Sequence, residues 1–128
     1  MVNIETHQRI DHRLCGRPLS TGPGVSRIEM ETTAEMMVDA FGLVHGGFIF
    51  GLADHAAMLA VNHPNVVLGA AEVKFLKPVK SGEQVVAEAR VESGSDRKKN
   101  VAVTVRKGGE MVFSGTFTCF VLDRHVLA

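Results

Sequence analysis

Apolar and polar residues alternate along several segments of this chain, and a period of two predicts β-strands. The first such segment runs from Val25 to Thr33, where Ile28 and Met30 alternate with charged residues. Four later segments have the same pattern: 66–79, 85–92, 101–106 and 111–119. The sequence therefore predicts at least five strands, and the short turns between the last of them indicate a mainly antiparallel sheet.

A different pattern covers residues 48 to 61, which are almost wholly Phe, Ile, Gly, Leu, Ala, Met and Val. It predicts a helix of about four turns that is buried on most of its surface. The helix begins at Gly46-Gly47 and ends near Asn62, because Pro64 follows. Residues 1–24 are less regular, with a short helix near 7–12 and a loop or edge strand over 17–24.

One buried helix against a sheet of five or six mainly antiparallel strands is an α+β layer architecture. The 128 residues are enough for one core without disulfides or metal. We therefore expect a single domain over residues 1–128, in which the sheet curls around the helix.

The beginning of the long helix carries the candidate chemistry. Backbone N–H groups in the first turn have no partner within the helix, and the helix dipole is positive there, so Gly46 and Gly47 could hold a carbonyl or oxyanion. Asp54 lies about two turns further along an apolar helix, where an ionised carboxylate is unfavourable. Two alternatives stay open: the glycines allow tight packing on the sheet, and Asp54 is a buried carboxylate bonded to loop amides.

Helix geometry separates these groups. Seven residues at 1.5 Å each place Gly47 and Asp54 about 10 Å apart along the axis, although on one face. A carbonyl held at the helix start needs its attacking water about 3 Å away, so the carboxylate must come from elsewhere. We predict a two-fold dimer with antiparallel helices and shared sites.

Composition excludes several other classes of protein. Fourteen basic and 14 acidic residues give no net field, and Trp and Tyr are absent, so nucleic-acid binding is disfavoured. The longest apolar stretch is too short to span a membrane. Cys15 and Cys119 do not suggest a disulfide scaffold, and we expect a cytoplasmic protein. No spacing typical of a metal site occurs, so we expect neither a metal nor a cofactor.

Three further features are candidates for roles in a site. His45, at the helix start, is expected to bond backbone and shape the turn. Arg97, Lys98 and Lys99 form the one local basic cluster, which could reach phosphate or be an ordinary solvated turn. Phe48 and Met58 suggest an apolar pocket that would suit an aryl or medium-chain group.

The chain resembles the hotdog-fold acyl-CoA thioesterases, specifically the phenylacetyl-CoA thioesterase-like group. The resemblance is carried by His45-Gly46-Gly47 with Asp54 nine positions after the histidine, and by the segment from Val73 to Pro78 before Gly82-Glu83. It spans about residues 25 to 122. It implies the hotdog fold and hydrolysis of an acyl-CoA thioester to free acid and CoA.

The resemblance also implies residue roles. The Gly47 N–H would polarise the thioester carbonyl, and Asp54 of the partner subunit would act as general base or nucleophile. The basic residues at 97–99 would lie near the CoA phosphates, and two dimers would form a tetramer. Asp39 departs from the family, which often has asparagine there to orient water or substrate, and a second carboxylate near Asp54 would make ionisation of both unfavourable.

Two other functions share this fold. A non-catalytic module could sense acyl-CoA in the same pocket, as the hotdog effector domains of lipid repressors do, but we expect no DNA-binding segment here. A hotdog hydratase or dehydratase would need an Asp and His placed together, in a motif that we do not find. Hydrolysis is therefore the leading hypothesis.

Overall fold

We describe the protein from a computed structural model that covers residues 1–128. The elements along the chain are α1 (His12–Cys15), β1 (Arg17–Gly22), β2 (Val25–Glu31), a 3-10 turn (Ala34–Met36), α2 (Gly46–Val61), β3 (Val66–Phe75), β4 (Gln84–Gly94), β5 (Lys98–Lys107) and β6 (Glu110–Val121). The helix α2 packs chiefly on β4, β2 and β5. No helix is both long enough and apolar enough to cross a membrane.

The six strands form one sheet in the order β1-β2-β4-β5-β6-β3. Every neighbouring pair is antiparallel. This arrangement of one long helix on a six-stranded antiparallel sheet is the hotdog fold, as the sequence predicted. Of the two alternatives for residues 17–24, the edge strand is the one formed: β1 (Arg17–Gly22) lies at one end of the sheet.

One apolar core lies between α2 and the sheet. The inward positions of the central strands are fully buried, with the predicted alternation: Val85 and Ala87 on β4, Val101, Val103 and Val105 on β5, and Phe113, Phe117 and Cys119 on β6. Nine of the sixteen residues of α2 are buried, so this helix is enclosed on most of its surface, as its composition predicted.

The element boundaries differ from the predictions in several places. The strands β4, β5 and β6 each extend one to three residues beyond the predicted segments. The short helix lies at His12–Cys15 rather than near 7–12, because the Asp11 carboxylate accepts a hydrogen bond from the Arg13 N–H and so begins it there. The strand β2 ends at Glu31, because Glu31 pairs with Gln84, where its partner strand β4 begins. The strand β3 ends at Phe75 because the next two N–H groups both donate to the Val112 carbonyl.

The strand β3 also differs in burial. Its apolar residues were expected to face the core, but Ala71 is exposed and the Phe75 side chain is 56% exposed. The reason is topological: β3 is the outer strand beyond β6, and α2 lies mainly over β2, β4 and β5. An apolar sheet edge is therefore left uncovered in the single chain.

Candidate active site

The first turn of α2 presents backbone N–H groups without a local acceptor. Its N-cap residue is His45, whose side chain makes no capping hydrogen bond. Gly46 and Gly47 are the first two residues of the helix, where N–H groups cannot reach a carbonyl of the same helix. The turn is held from outside, because the His45 N–H donates to the Met36 carbonyl and the Val44 N–H donates to the Val79 carbonyl.

The two glycines serve different packing needs. A Cβ atom on Gly46 would lie 3.2 Å from Cε1 of Phe75 on β3, so the packing alternative holds for this glycine. A Cβ atom on Gly47 would lie 2.7 Å from Nε2 of His45, and its three nearest neighbours would all be atoms of the His45 ring. Gly47 is exposed, and its N–H has no acceptor within the helix.

His45 does not form the expected hydrogen bond to backbone. Its ring lies over Gly47 and packs edge to face against Phe48, with ring centroids 6.1 Å apart. The absence of a side chain on Gly47 is what admits the ring to this position. His45 therefore shapes the first turn by packing rather than by capping.

Asp54 is the one acidic residue of α2. Its Oδ1 atom is buried and has no hydrogen-bond partner, so the alternative of a carboxylate bonded to loop amides is wrong for that atom. Burial raises the pKa of Asp54 from 3.8 to about 6, because an apolar surrounding disfavours the charged form. A carboxylate with this pKa is suited to accept a proton from water near neutral pH.

Asp39 has a structural role within the single chain. Its Oδ1 accepts hydrogen bonds from the N–H groups of Phe41 (2.9 Å) and Leu43 (3.2 Å), which fixes the loop before α2. Burial is the cause of the raised Asp54 pKa, and Asp39 does not contribute to it. The predicted repulsion between these two carboxylates is therefore absent within one chain, and across a dimer it stays a prediction.

An apolar groove lies beside the first turn of α2. It has a volume of about 310 Å³ and is lined by Leu43, Val44, Gly46, Ile49, Phe75, Leu76, Lys77, Pro78, Val79 and Val112. Neither Phe48 nor Met58 lines it: Phe48 packs at the margin of the core, and Met58 is 1% exposed within the core. Their predicted contact with substrate stays a prediction.

Sequence reasoning missed most of the residues that line this groove. Ile49 could have been found, because it lies one helical turn after Gly46 and so on the same face. Leu76 and Pro78 belong to the segment that carried the family resemblance, but their place beside Gly46 depends on the turn after β3. That placement follows from sheet topology, which the local pattern does not contain.

The basic cluster lies at the other end of α2. Arg97 pairs with Asp123 at 2.6 Å, and both side chains are largely exposed, so this ion pair adds little stability. Arg97 and Lys99 line a surface cavity of about 730 Å³ together with His63 and Val61, at the end of α2. Lys98 is exposed beside it.

No group of three or more His, Cys, Asp or Glu side chains is arranged to hold a metal ion. The two thiols are free: Cys119 is buried, and Cys15 is partly buried. The Asp54 carboxylate adds to the effect of burial in raising the pKa of both thiols, so neither is activated as a nucleophile.

Comparison with known proteins then identifies the family. Residues 41–114 match the Thioesterase superfamily. The chain belongs to this superfamily. The matched region begins two residues after Asp39 and contains the first turn of α2, Asp54 and the residues that line the groove.

Two solved structures are similar to this thioesterase-superfamily chain over most of its length. An uncharacterized protein from Pyrococcus horikoshii is 51% identical, with a TM-score of 0.98 over 99% of this chain and 98% of that one. A variant of the phenylacetic acid degradation protein PaaI from Thermus thermophilus, with one asparagine replaced by aspartate, is 32% identical, with a TM-score of 0.79 over 85% of this chain and 95% of that one.

The curated relatives are longer than this chain. A methylthioribose-1-phosphate isomerase from Aquifex aeolicus is 49% identical over 95% of this chain, which spans only 27% of that protein. The transcription factor FapR of Bacillus cereus is 34% identical over 61% of this chain and 41% of its own length. In both cases most of the relative lies outside the matched region.

Proposed function

We propose that this chain hydrolyses an acyl-CoA thioester to the free acid and CoA, at sites shared between two copies. In each site the Gly47 N–H of one copy polarises the thioester carbonyl, and Asp54 of the other copy acts as base on water or as nucleophile. Membership of the thioesterase superfamily supports thioester hydrolysis in general. The observation that carries the proposal is the buried Asp54 carboxyl, whose Oδ1 has no partner and whose pKa is raised to about 6.

Sharing of the site follows from distances along α2. Gly47 and Asp54 are separated by about 10 Å along the axis, so one helix cannot hold a carbonyl and its attacking water together. When two copies of α2 run antiparallel side by side with Asp54 level with the other Gly47, both sites are completed at once. One two-fold axis thus supplies two identical sites.

The uncovered apolar surface supports pairing of two copies. Leu43 is 40% exposed, Phe75 56% and Leu76 45%, and all three line the groove beside the first turn of α2. Large apolar side chains clustered on a surface are typical of an interface. Association of two such dimers into a tetramer is part of the proposal, and light scattering of the purified protein measures the assembly directly.

The same geometry gives the basic cluster a role. The end of α2, where Arg97 and Lys99 lie, is about 21 Å along the axis from Gly47 of its own chain. In the antiparallel pair the partner's cluster lies only about 10 Å beyond Gly47. Phosphates of CoA would therefore meet the partner's basic residues while the thioester lies at Gly47. We place this reaction in the cytoplasm, where the two free thiols would remain reduced.

A thiol-release assay tests the proposal. Wild-type protein is assayed with aryl, short-chain and medium-chain acyl-CoA esters and with the matching acyl-carrier-protein thioesters. We expect release from at least one CoA ester, and loss of release in Asp54→Asn. Glu92→Gln, which removes an exposed carboxylate on β4, serves as the matched control. Release that survives in Asp54→Asn would refute the role of Asp54.

The similarity to FapR favours a second candidate, a module that binds acyl-CoA without hydrolysing it. The matched region in that relative belongs to a transcription factor. Tight binding of an acyl-CoA in calorimetry, with no thiol released from any ester, would select this candidate. The unpartnered Asp54 argues for hydrolysis, because a binding module has no need for a buried carboxylate of this kind.

A further inference from the structure

The N-terminal segment lies across α2 as a strap, which we define as residues 1–16. The side-chain amide of Asn62, at the end of α2, makes two hydrogen bonds to the start of the strap. The Glu5 N–H donates to Asn62 Oδ1 (2.8 Å), and Asn62 Nδ2 donates to the Asn3 carbonyl (2.7 Å). At its end, Gly16 is buried so closely that a Cβ atom would lie 2.6 Å from Leu52 of α2. The strap is thus anchored at the end and at the middle of the helix.

The anchor at the middle of α2 is a histidine. His55 is 1% exposed, and its Nδ1 lies 3.0 Å from the Cys15 carbonyl oxygen. A carbonyl oxygen only accepts hydrogen bonds, so Nδ1 carries the proton and donates it. The His55 ring also stacks on His12, with ring centroids 6.2 Å apart and planes inclined by 17°.

The strap brings two more histidines to this buried ring, and no carboxylate of the strap alters the pKa of His55. His7 and His12 both come from the strap, and both oppose a positive charge on His55. From α2 itself, Asp54 precedes His55 but points about 100° away around the helix and does not alter its pKa. The Cys15 thiol is the other titratable group here, and its own pKa is raised by burial, by Asp11 and by Asp54.

We propose that neutral His55 clamps the strap onto α2, that acid releases the strap, and that His55 is thereby a positioning residue for Asp54. The link to Asp54 is spatial. Gly16, which follows the Cys15 that His55 bonds, packs on Leu52, two residues before Asp54 in α2, and the Asp54 carboxylate adds to the raised pKa of the Cys15 thiol. The end of the strap therefore borders the apolar surrounding of Asp54, and its release admits water there.

The sign of the pH effect follows from the histidines. Burial lowers the pKa of His55 below 6.5; the hydrogen bond to the Cys15 carbonyl opposes this effect, and the two neighbouring histidines add to it. Burial also lowers the pKa of His7. With the strap open, both rings regain ordinary pKa values and bind protons more readily. Closure is therefore unaffected well above pH 6.5 and weakens below it, by up to about tenfold per pH unit for each ring.

Hydrogen exchange of the wild-type protein between pH 8 and 5 tests the clamp without any substrate. After correction for intrinsic exchange rates, we expect protection of residues 8–16 to fall by tenfold or more between pH 7 and 5.5, while protection of β4 stays unchanged. Strap protection that does not depend on pH, or that falls only together with β4, would overturn the proposal.

Substitutions identify the titrating group. In His55→Gln the side-chain amide can still donate to Cys15, but it cannot titrate, so the part of the pH dependence that comes from His55 is expected to disappear, while the part from His7 remains. His125→Gln, at an exposed histidine near the other terminus, should behave as wild type. If His55→Gln does not fold, His12→Gln replaces it: loss of one like-charged neighbour moves strap release to lower pH. An unmoved release in both cluster variants contradicts the clamp.

The positioning role of His55 rests on the proposed function and has a separate readout. In a plot of log kcat/KM against pH, loss of the Asp54 base alone gives an acid limb of slope one. Strap release adds protons at His55 and His7, so the slope of the wild-type limb should exceed one, and the slope in His55→Gln should be smaller than in the wild type. A wild-type slope of one overturns the positioning role. The absence of any thioesterase activity refutes the proposed function instead, and hydrogen exchange still decides the clamp.

Discussion

Complementation between two inactive variants tests the shared site most directly. In Gly47→Pro the N–H donor is removed at a position in the first turn of α2, where helices tolerate proline. The new side chain meets the exposed His45 ring, which can turn away, so the fold should survive. Loss of one carbonyl-polarising donor is expected to lower kcat about 100- to 1,000-fold. Asp54→Asn removes the base.

Random pairing fixes the size of the recovery. When the two variants are unfolded, mixed in equal amounts and refolded together, half of the dimers contain one chain of each kind. Each mixed dimer has one site with an intact Gly47 N–H from one chain and an intact Asp54 from the other. The mixture should therefore regain about a quarter of wild-type activity. If one chain supplied both groups, no intact site could form.

Thiol release from the preferred ester is measured before and after mixing. The matched control is the double variant refolded with Asp54→Asn, because no pairing of these chains restores a site. A mixture no more active than this control, although size-exclusion chromatography with mass analysis shows mixed dimers, would refute the shared site.

Three further predictions concern single residues. Asp54→Asn should raise the free energy of unfolding above pH 6 by about 1–2 kcal/mol after allowance for solvent screening, which is measured by thermal unfolding at several pH values. The pKa of Asp54 is about 6 in the folded protein and 3.8 in the unfolded chain, so ionisation of Asp54 destabilises the fold as pH rises through this range. The stability gained in Asp54→Asn should therefore vanish below pH 4, and a gain that persists there contradicts the raised pKa of Asp54. Asp39→Asn keeps an Oδ1 acceptor for the two loop N–H groups, so this variant should retain activity. Asp39→Ala removes the acceptor and should lose much of the activity. An altered pH profile in Asp39→Asn would instead place the Asp39 charge in the mechanism. Arg97→Gln together with Lys99→Gln should raise KM for acyl-CoA and weaken its dependence on salt, leaving kcat nearly unchanged. An unchanged KM would exclude these two residues from the CoA site.

Local sequence determined much of the fold. The period of two in β4, β5 and β6 and the apolar run of α2 predicted which residues are buried, because each strand or helix must bury its apolar side on the same core. Helix geometry likewise set the distance between Gly47 and Asp54, since that distance depends only on their separation along α2. The proposal of a shared site thus needs little beyond the sequence.

Tertiary structure decided what depends on contacts between distant segments. Three features of the site depend on residues from different elements. They are the burial of the Asp54 Oδ1 without a partner, the groove between Ile49 and Leu76, and the hydrogen bond from His55 to the strap. The exposure of Phe75 depends on β3 being the outer strand. A local pattern states which side of an element is apolar, but only the packed chain determines what that side meets, and hence the pKa of Asp54.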